Sequence, residues 1–198
     1  MPVDKIERHP KDGLPILAFT AAAGFRNWLS AGQEATGMWL KLGRKGSGHE
    51  SVTYAEALDA ALCFGWIDGQ AGKLDADWTL RRFTPRTRRS KWSQINCKRV
   101  EELSREGLME PRGLQEVEAA KADGRWAAAY ASSRNIGVPE DLAAALREAP
   151  VAAEFFAGIS AQNRYAILYR IQDAKKPETR LRRIVKFVAM LAEGKTLH

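Results

Sequence analysis

The sequence predicts an α+β fold, with a small antiparallel or mixed sheet and helices in the N-terminal half and a helical C-terminal half. Three observations carry that expectation. Short apolar or alternating runs bounded by glycine and proline are confined to the first 85 residues. Apolar stripes at helical spacing fill most of the remainder. Helix boundaries recur after residue 90, with proline at a first turn (Pro111, Pro139, Pro177) and glycine just past an end (Gly107, Gly124, Gly194). A chain of 198 residues buries enough surface to fold without disulfide or metal staples. Its halves are expected to form an α+β lobe over 1–110 and a helical lobe over 111–198, or one continuous domain. No continuous linker separates them, and the stretch Ser132–Gly137 is the expected seam.

Each element has its own signal. Pro15-Ile-Leu-Ala-Phe19 is a short buried strand, and a helix runs from about Ala21 to Ala31, with Phe25, Trp28 and Leu29 on one face and Gly32 closing it. In 37–43, Met38, Leu40 and Leu42 alternate with Trp39 and Lys41, which is a strand. Gly43-Arg-Lys-Gly-Ser-Gly48 lacks the spacing of a phosphate-binding loop and reads as a flexible basic loop. Thr53-Tyr-Ala-Glu56 is a capping box opening a helix whose stripe is Tyr54, Ala57, Leu58, Ala61 and Leu62, stopped by Gly65. Trp66-Ile-Asp-Gly69 and Asp77–Phe83 form a hairpin, ended by Pro85. Helices are expected over 91–106, 111–124, a short span after Pro139, 151–158, 161–174 and from Pro177, the last with Leu181, Ile184, Val185, Val188 and Leu191 on its apolar face.

Charge is the functional signal. The formal net charge is +7. Residues 81–99 hold eight basic side chains (Arg81, Arg82, Arg86, Arg88, Arg89, Lys91, Lys98, Arg99) and no acid, and outside them 23 basic and 24 acidic residues nearly cancel. Cations crowded at a predicted helix start oppose its dipole, which makes sense if an anion neutralises them. The candidate ligand-binding set is Trp66, Asp68, Arg82, Arg86, Arg88, Arg89, Ser90, Trp92, Ser93 and Asn96. Ser90 or Ser93 would cap the helix or donate to the anion, and Trp66 and Trp92 would stack on it. The competing reading is a solvated face whose arginines pair with acids from elsewhere. Asp68 is read as a structural acid in a turn, or one paired to Arg81 or Arg82 across the hairpin. A second basic group, Lys175, Lys176, Arg180, Arg182, Arg183 and Lys186 with only Glu178 among them, reads as the wet face of an amphipathic helix.

Other chemistry has little support in the sequence. His9, His49 and His198 are isolated, and neither cysteine has a partner at zinc spacing, so no metal site is expected. Cys97 beside Lys98 and Arg99 offers a weak nucleophile reading, with a thiol lowered by those cations. No catalytic residue and no cofactor are assigned. The charged N-terminus, Met-Pro-Val-Asp-Lys-Ile-Glu-Arg-His-Pro, has no apolar core, and no run of 18 apolar residues occurs, so no signal peptide or spanning helix is expected and the address is cytoplasmic.

Several motifs resemble one family. Thr53-Tyr-Ala-Glu-Ala-Leu-Asp-Ala-Ala-Leu-Cys-Phe-Gly-Trp-Ile-Asp-Gly69, Arg82-Phe-Thr-Pro-Arg86, Lys91-Trp-Ser-Gln-Ile-Asn96 and Ala119-Ala-Lys-Ala-Asp-Gly-Arg-Trp126 are similar to stretches of the YdeI/OmpD-associated, or bacteriocin-protection (OmdA-like), family. Val138-Pro-Glu-Asp-Leu142 through Arg183 resembles its C-terminal helical module. The resemblance implies a stress or bacteriocin-protection protein, and it carries over no reaction or catalytic residue. The leading expectation is therefore a non-enzymatic cytoplasmic protein that binds an anionic small molecule, phosphate or carboxylate, through 81–96. The alternatives are sequence-independent nucleic-acid binding, and an enzyme on a small anionic substrate with Asp68 as base.

Overall fold

The computed structural model describes residues 6–32 and 34–198. The first five residues of the charged N-terminal segment lie outside that set. The described residues form two compact units: 6–92 with 96–128, and 93–95 with 129–198. The first unit thus retains the helix that begins at Pro111, which the sequence suggested would open the second lobe.

The first unit is built on a four-stranded mixed sheet in the order β1-β2-β4-β3. Strand β1 (Ile16–Ala18) is joined by helix α1 (Ala22–Ala31) to the parallel strand β2 (Met38–Gly43). Strands β3 (Trp66–Lys73) and β4 (Trp78–Pro85) form the expected hairpin, and β4 pairs antiparallel with β2. The register along β3 shifts between Asp68 and Ala71, the signature of a bulge beside Gly69.

Both faces of the sheet carry apolar packing, so Trp39 is buried on the face opposite Met38 and Leu40 of β2. One face, with Met38, Leu40, Leu42, Phe83 and Trp66, packs on Phe25 and Leu29 of α1 and on the alanines of helix α2 (Tyr54–Cys63). On the other, Trp39, Ile16 and Leu80 form a smaller cluster. There Asp12 accepts from Trp39 Nε1 at 3.0 Å and from Arg82 Nε at 3.0 Å, so one carboxylate clasps two cross-strand neighbours.

Helix α2 begins as its sequence dictates. The Thr53 side chain accepts from Glu56 N–H, and the Glu56 carboxylate accepts from Thr53 N–H at 2.9 Å. Those bonds from the Thr53 hydroxyl and backbone hold the Glu56 carboxyl below its ordinary value. Tyr54 departs from the expected stripe. It is exposed, because its hydroxyl donates to Asp68 at 2.7 Å instead of entering the core. Gly65 ends the helix at φ +71°, a conformation other residues adopt only with strain. Helix α3 (Gln94–Arg105) follows, and α4 (Pro111–Ala122) then meets the end of α2 so closely that a Cβ on Gly113 would collide with the Cys63 carbonyl.

The second unit is helical: α5 (Glu140–Arg147), α6 (Pro150–Gly158), α7 (Ala161–Gln172) and α8 (Pro177–Ala192). Leu142, Phe156, Ile167, Leu168, Ile171, Ile184, Phe187 and Leu191 form its core. Ser160 caps α7 by accepting from Asn163 N–H. Of the apolar face expected on α8, Ile184 and Leu191 are buried, but Leu181 and Val185 are exposed. Among the described residues no helix is long and apolar enough to cross a membrane.

Candidate functional site

The basic stretch runs from the middle of β4 through a turn into α3, and the three contexts treat its cations differently. On a strand, successive side chains point to opposite faces. Arg81 therefore faces the α2 side, where its guanidinium lies 4.7 Å over the Tyr54 ring and 3.7 Å from the Asp68 carboxylate. Arg82 points the other way, to Asp12. Asp68 is thus engaged by Arg81 and by Tyr54, and not by Arg82. Arg99, on α3, reaches back to Asp59 of α2 through two bonds of 2.8 and 2.7 Å, and to Glu102 at 2.9 Å. Bonds to Asp59 and Glu102 push the Arg99 pKa up, and the bond from Arg99 holds Glu102 down.

Arg86 is only 4% exposed. Its guanidinium carbon lies 3.4 Å from the centre of the Trp92 ring, and Nη1 donates to the Lys91 carbonyl at 3.2 Å. Trp92 also packs on Trp126, with ring centroids 4.8 Å apart. A desolvated cation on an indole face is worth about 2 kcal/mol, so this stack anchors the turn that follows. Trp92 is 2% exposed and Trp66, edge-on to Trp28, is 0% exposed. The two tryptophans expected to stack on a ligand are packed inside the first unit.

Above that anchor, residues 87–90 form a turn. Thr87 N–H donates to Ser90 Oγ at 3.0 Å, and Ser90 N–H donates to the Thr87 carbonyl at 2.9 Å. Arg125 fastens both ends from outside, its Nη1 donating to the Thr87 carbonyl at 3.3 Å and to the Ser90 carbonyl at 3.2 Å, while its Nε pairs with Asp123 at 2.8 Å. Burial raises the Asp123 carboxyl, but bonds from Arg125 and the nearby charges of Arg125 and Arg88 outweigh it and hold the group low. Arg88 and Arg89, at the tip, are exposed, and neither makes an ion pair among the described residues. Sequence reasoning missed Arg125, although the adjacent Asp-Gly-Arg-Trp segment marks it as the residue following a turn.

The start of α3 is not the open anion seat that the sequence suggested. The N–H of Gln94 donates to the Tyr130 carbonyl at 2.9 Å, and Ser93 forms a β-bridge with Tyr130. Ser90 serves the turn, as described. Asn96 is buried within α3. Cys97 is also buried, and burial pushes its thiol up to about 11, the reverse of the lowering that Lys98 and Arg99 were expected to cause. Arg99 points away from it, to acids. No group of three or more His, Cys, Asp or Glu side chains able to hold a metal occurs among the described residues.

Fold and geometry together define a class: a two-unit α+β protein whose mixed sheet leads into an arginine-tipped turn and whose second unit is a small helical bundle. Residues 17–116 match the family model of a domain of unknown function (DUF8412), and with half of its length in that match the chain belongs to that family. Residues 135–194 match a second family, Bacteriocin-protection, YdeI or OmpD-Associated (OmdA), which places an OmdA domain on the helical unit. The motifs at 53–69, 82–86 and 91–96 fall within the first match. No curated protein and no solved structure is significantly similar to the chain.

Proposed function

We propose that this is a cytoplasmic, non-enzymatic binding protein of bacteriocin or stress protection, and that the turn 87–90 presents Arg88 and Arg89 to a phosphate or carboxylate ligand. The carrying observation is the contrast within the basic stretch. Arg81, Arg82 and Arg99 face protein carboxylates, whereas Arg88 and Arg89 sit exposed on a turn immobilised from below by Arg86 and from the side by Arg125. The bonded turn fixes the backbone from which both arginines project, and guanidinium forks match oxyanion geometry. The OmdA domain supports the protective role. Two free buried cysteines agree with a reducing compartment.

Calorimetric titration at low salt with inorganic phosphate, a nucleoside triphosphate and short single-stranded nucleic acid tests this reading. Binding of the small anions, weakened about tenfold or more (about 1.4 kcal/mol) in Arg88→Ala with Arg89→Ala, supports it. No binding of any of them at low salt overturns it. Affinity for nucleic acid alone, falling steeply and linearly with log salt, moves the assignment to sequence-independent nucleic-acid binding.

A further inference from the structure

The second unit carries a separate feature. Leu181 and Val185, one turn apart on α8, are 64% and 62% exposed. With Val188 and Ala189 of α8 and Ala145 of α5 they line an open groove of about 520 Å³, in which the main polar group is the Asp141–Arg180 pair. Two large aliphatic side chains at i, i+4, set in a concavity, form the kind of patch that marks an interaction site. One residue further round the helix stand Arg182 and Lys186, and Lys175 and Lys176 lead into its first turn. All four are exposed, and none makes an ion pair among the described residues. Glu178 is the only acid in α8.

From this juxtaposition we propose that the groove receives an acidic amphipathic helix of a partner protein. Its leucine-type side chains at i, i+4 spacing would lie against Leu181 and Val185, and its carboxylates would meet Arg182 and Lys186. On the α8 side of the groove the exposed cations Arg182, Lys186, Lys175 and Lys176 outnumber the one acid, Glu178, and that excess favours a partner of the opposite sign over a second copy of α8. A concavity between two helices accepts interdigitating side chains, which a flat lipid surface does not supply. The 16 residues of α8 span about 24 Å, so the partner segment is of comparable length.

The probe is a synthetic peptide of about 16 residues with leucines along one helical face and glutamates flanking them. Its control carries lysines in place of the glutamates. Fluorescence anisotropy with the full chain is expected to show the acidic peptide binding at least tenfold more tightly than the control, more weakly as salt rises. Leu181→Ser with Val185→Ser should reduce that binding at least tenfold while circular dichroism stays unchanged, since both side chains are exposed. Arg182→Glu with Lys186→Glu should reverse the peptide preference. The proposal is overturned by no binding of the acidic peptide, by equal binding of both peptides, or by indifference to these substitutions. It is also overturned if light scattering shows self-association that the serine variant abolishes, or if phosphatidylglycerol vesicles bind through this face, because the groove would then belong to a second copy or to a membrane.

Discussion

Residues 81–99 and 175–186 look alike in the sequence, each dense in cations and nearly without acids, yet the fold uses them differently. In the first, the strand and the helix hand Arg81, Arg82 and Arg99 to Asp68, Asp12 and Asp59, while Arg86 disappears beneath Trp92. Only the turn keeps its arginines facing water. In the second, Arg180 is held by Asp141 and Arg183 donates to the Arg170 carbonyl, but Arg182, Lys186, Lys175 and Lys176 stay exposed. The difference lies in whether another element packs beside the cation, as α2 does beside Arg99 and α5 beside Arg180. A strand is flanked by chain from far away in sequence, so acids absent from its own segment arrive across the sheet. An exposed helix face meets mostly its own i±3 and i±4 residues, so a local count of charge describes it well.

The contrast can be broken first where the effect is largest. Arg86→Ala removes a buried cation–π stack and its bond to Lys91, and is expected to cost about 3 kcal/mol in urea unfolding, whereas Arg88→Ala should change stability by less than about 0.5 kcal/mol. Equal small losses would mean that Arg86 is no anchor. Next in size are the paired cations. Arg99→Ala and Arg180→Ala should each cost about 1 kcal/mol, the upper range for partly exposed pairs, while Arg182→Ala and Lys186→Ala should be neutral. A clear loss at Lys186 would show that α8 pairs its cations after all.

A smaller effect concerns pH. The bond from Arg180 holds the Asp141 carboxyl low, and at Asp12 burial is outweighed by bonds from Trp39 and Arg82 with the same net direction. A carboxyl whose folded pKa lies below its unfolded value adds stability that is complete above the unfolded pKa and is lost as pH falls through the folded one. Thermal midpoints should therefore hold at pH 5–7 and drop below about pH 4, and Asp141→Asn should flatten part of that drop. An unchanged acid profile in Asp141→Asn would remove the Asp141–Arg180 pair as a contributor.

Much of the fold was legible because its signals are local. The capping box at Thr53, Gly65 beyond α2, and the prolines at 111, 139 and 177 place helix boundaries through backbone chemistry that needs no tertiary partner. Alternation revealed β2, and Asp77–Phe83 outlined β4. The site was less legible, since each misplacement there is a tertiary contact. Tyr54 fits an apolar stripe at helical spacing, but its hydroxyl finds Asp68 on β3. Arg125 braces a turn 35 residues earlier in the chain. The Gln94 N–H is taken by the Tyr130 carbonyl. Leu181 and Val185 satisfy the period of a buried face, and only the packing of α5 and α8 leaves them in a groove.

The most direct measurement is phosphate titration at low salt on the wild type, Arg88→Ala with Arg89→Ala, and Arg182→Ala with Lys186→Ala. Saturable binding that falls at least tenfold in the turn variant and stays within twofold of wild type in the α8 variant is the expected result. Absence of binding in the wild type, or an equal fall in both variants, would show that the arginine-tipped turn has no special claim on anions.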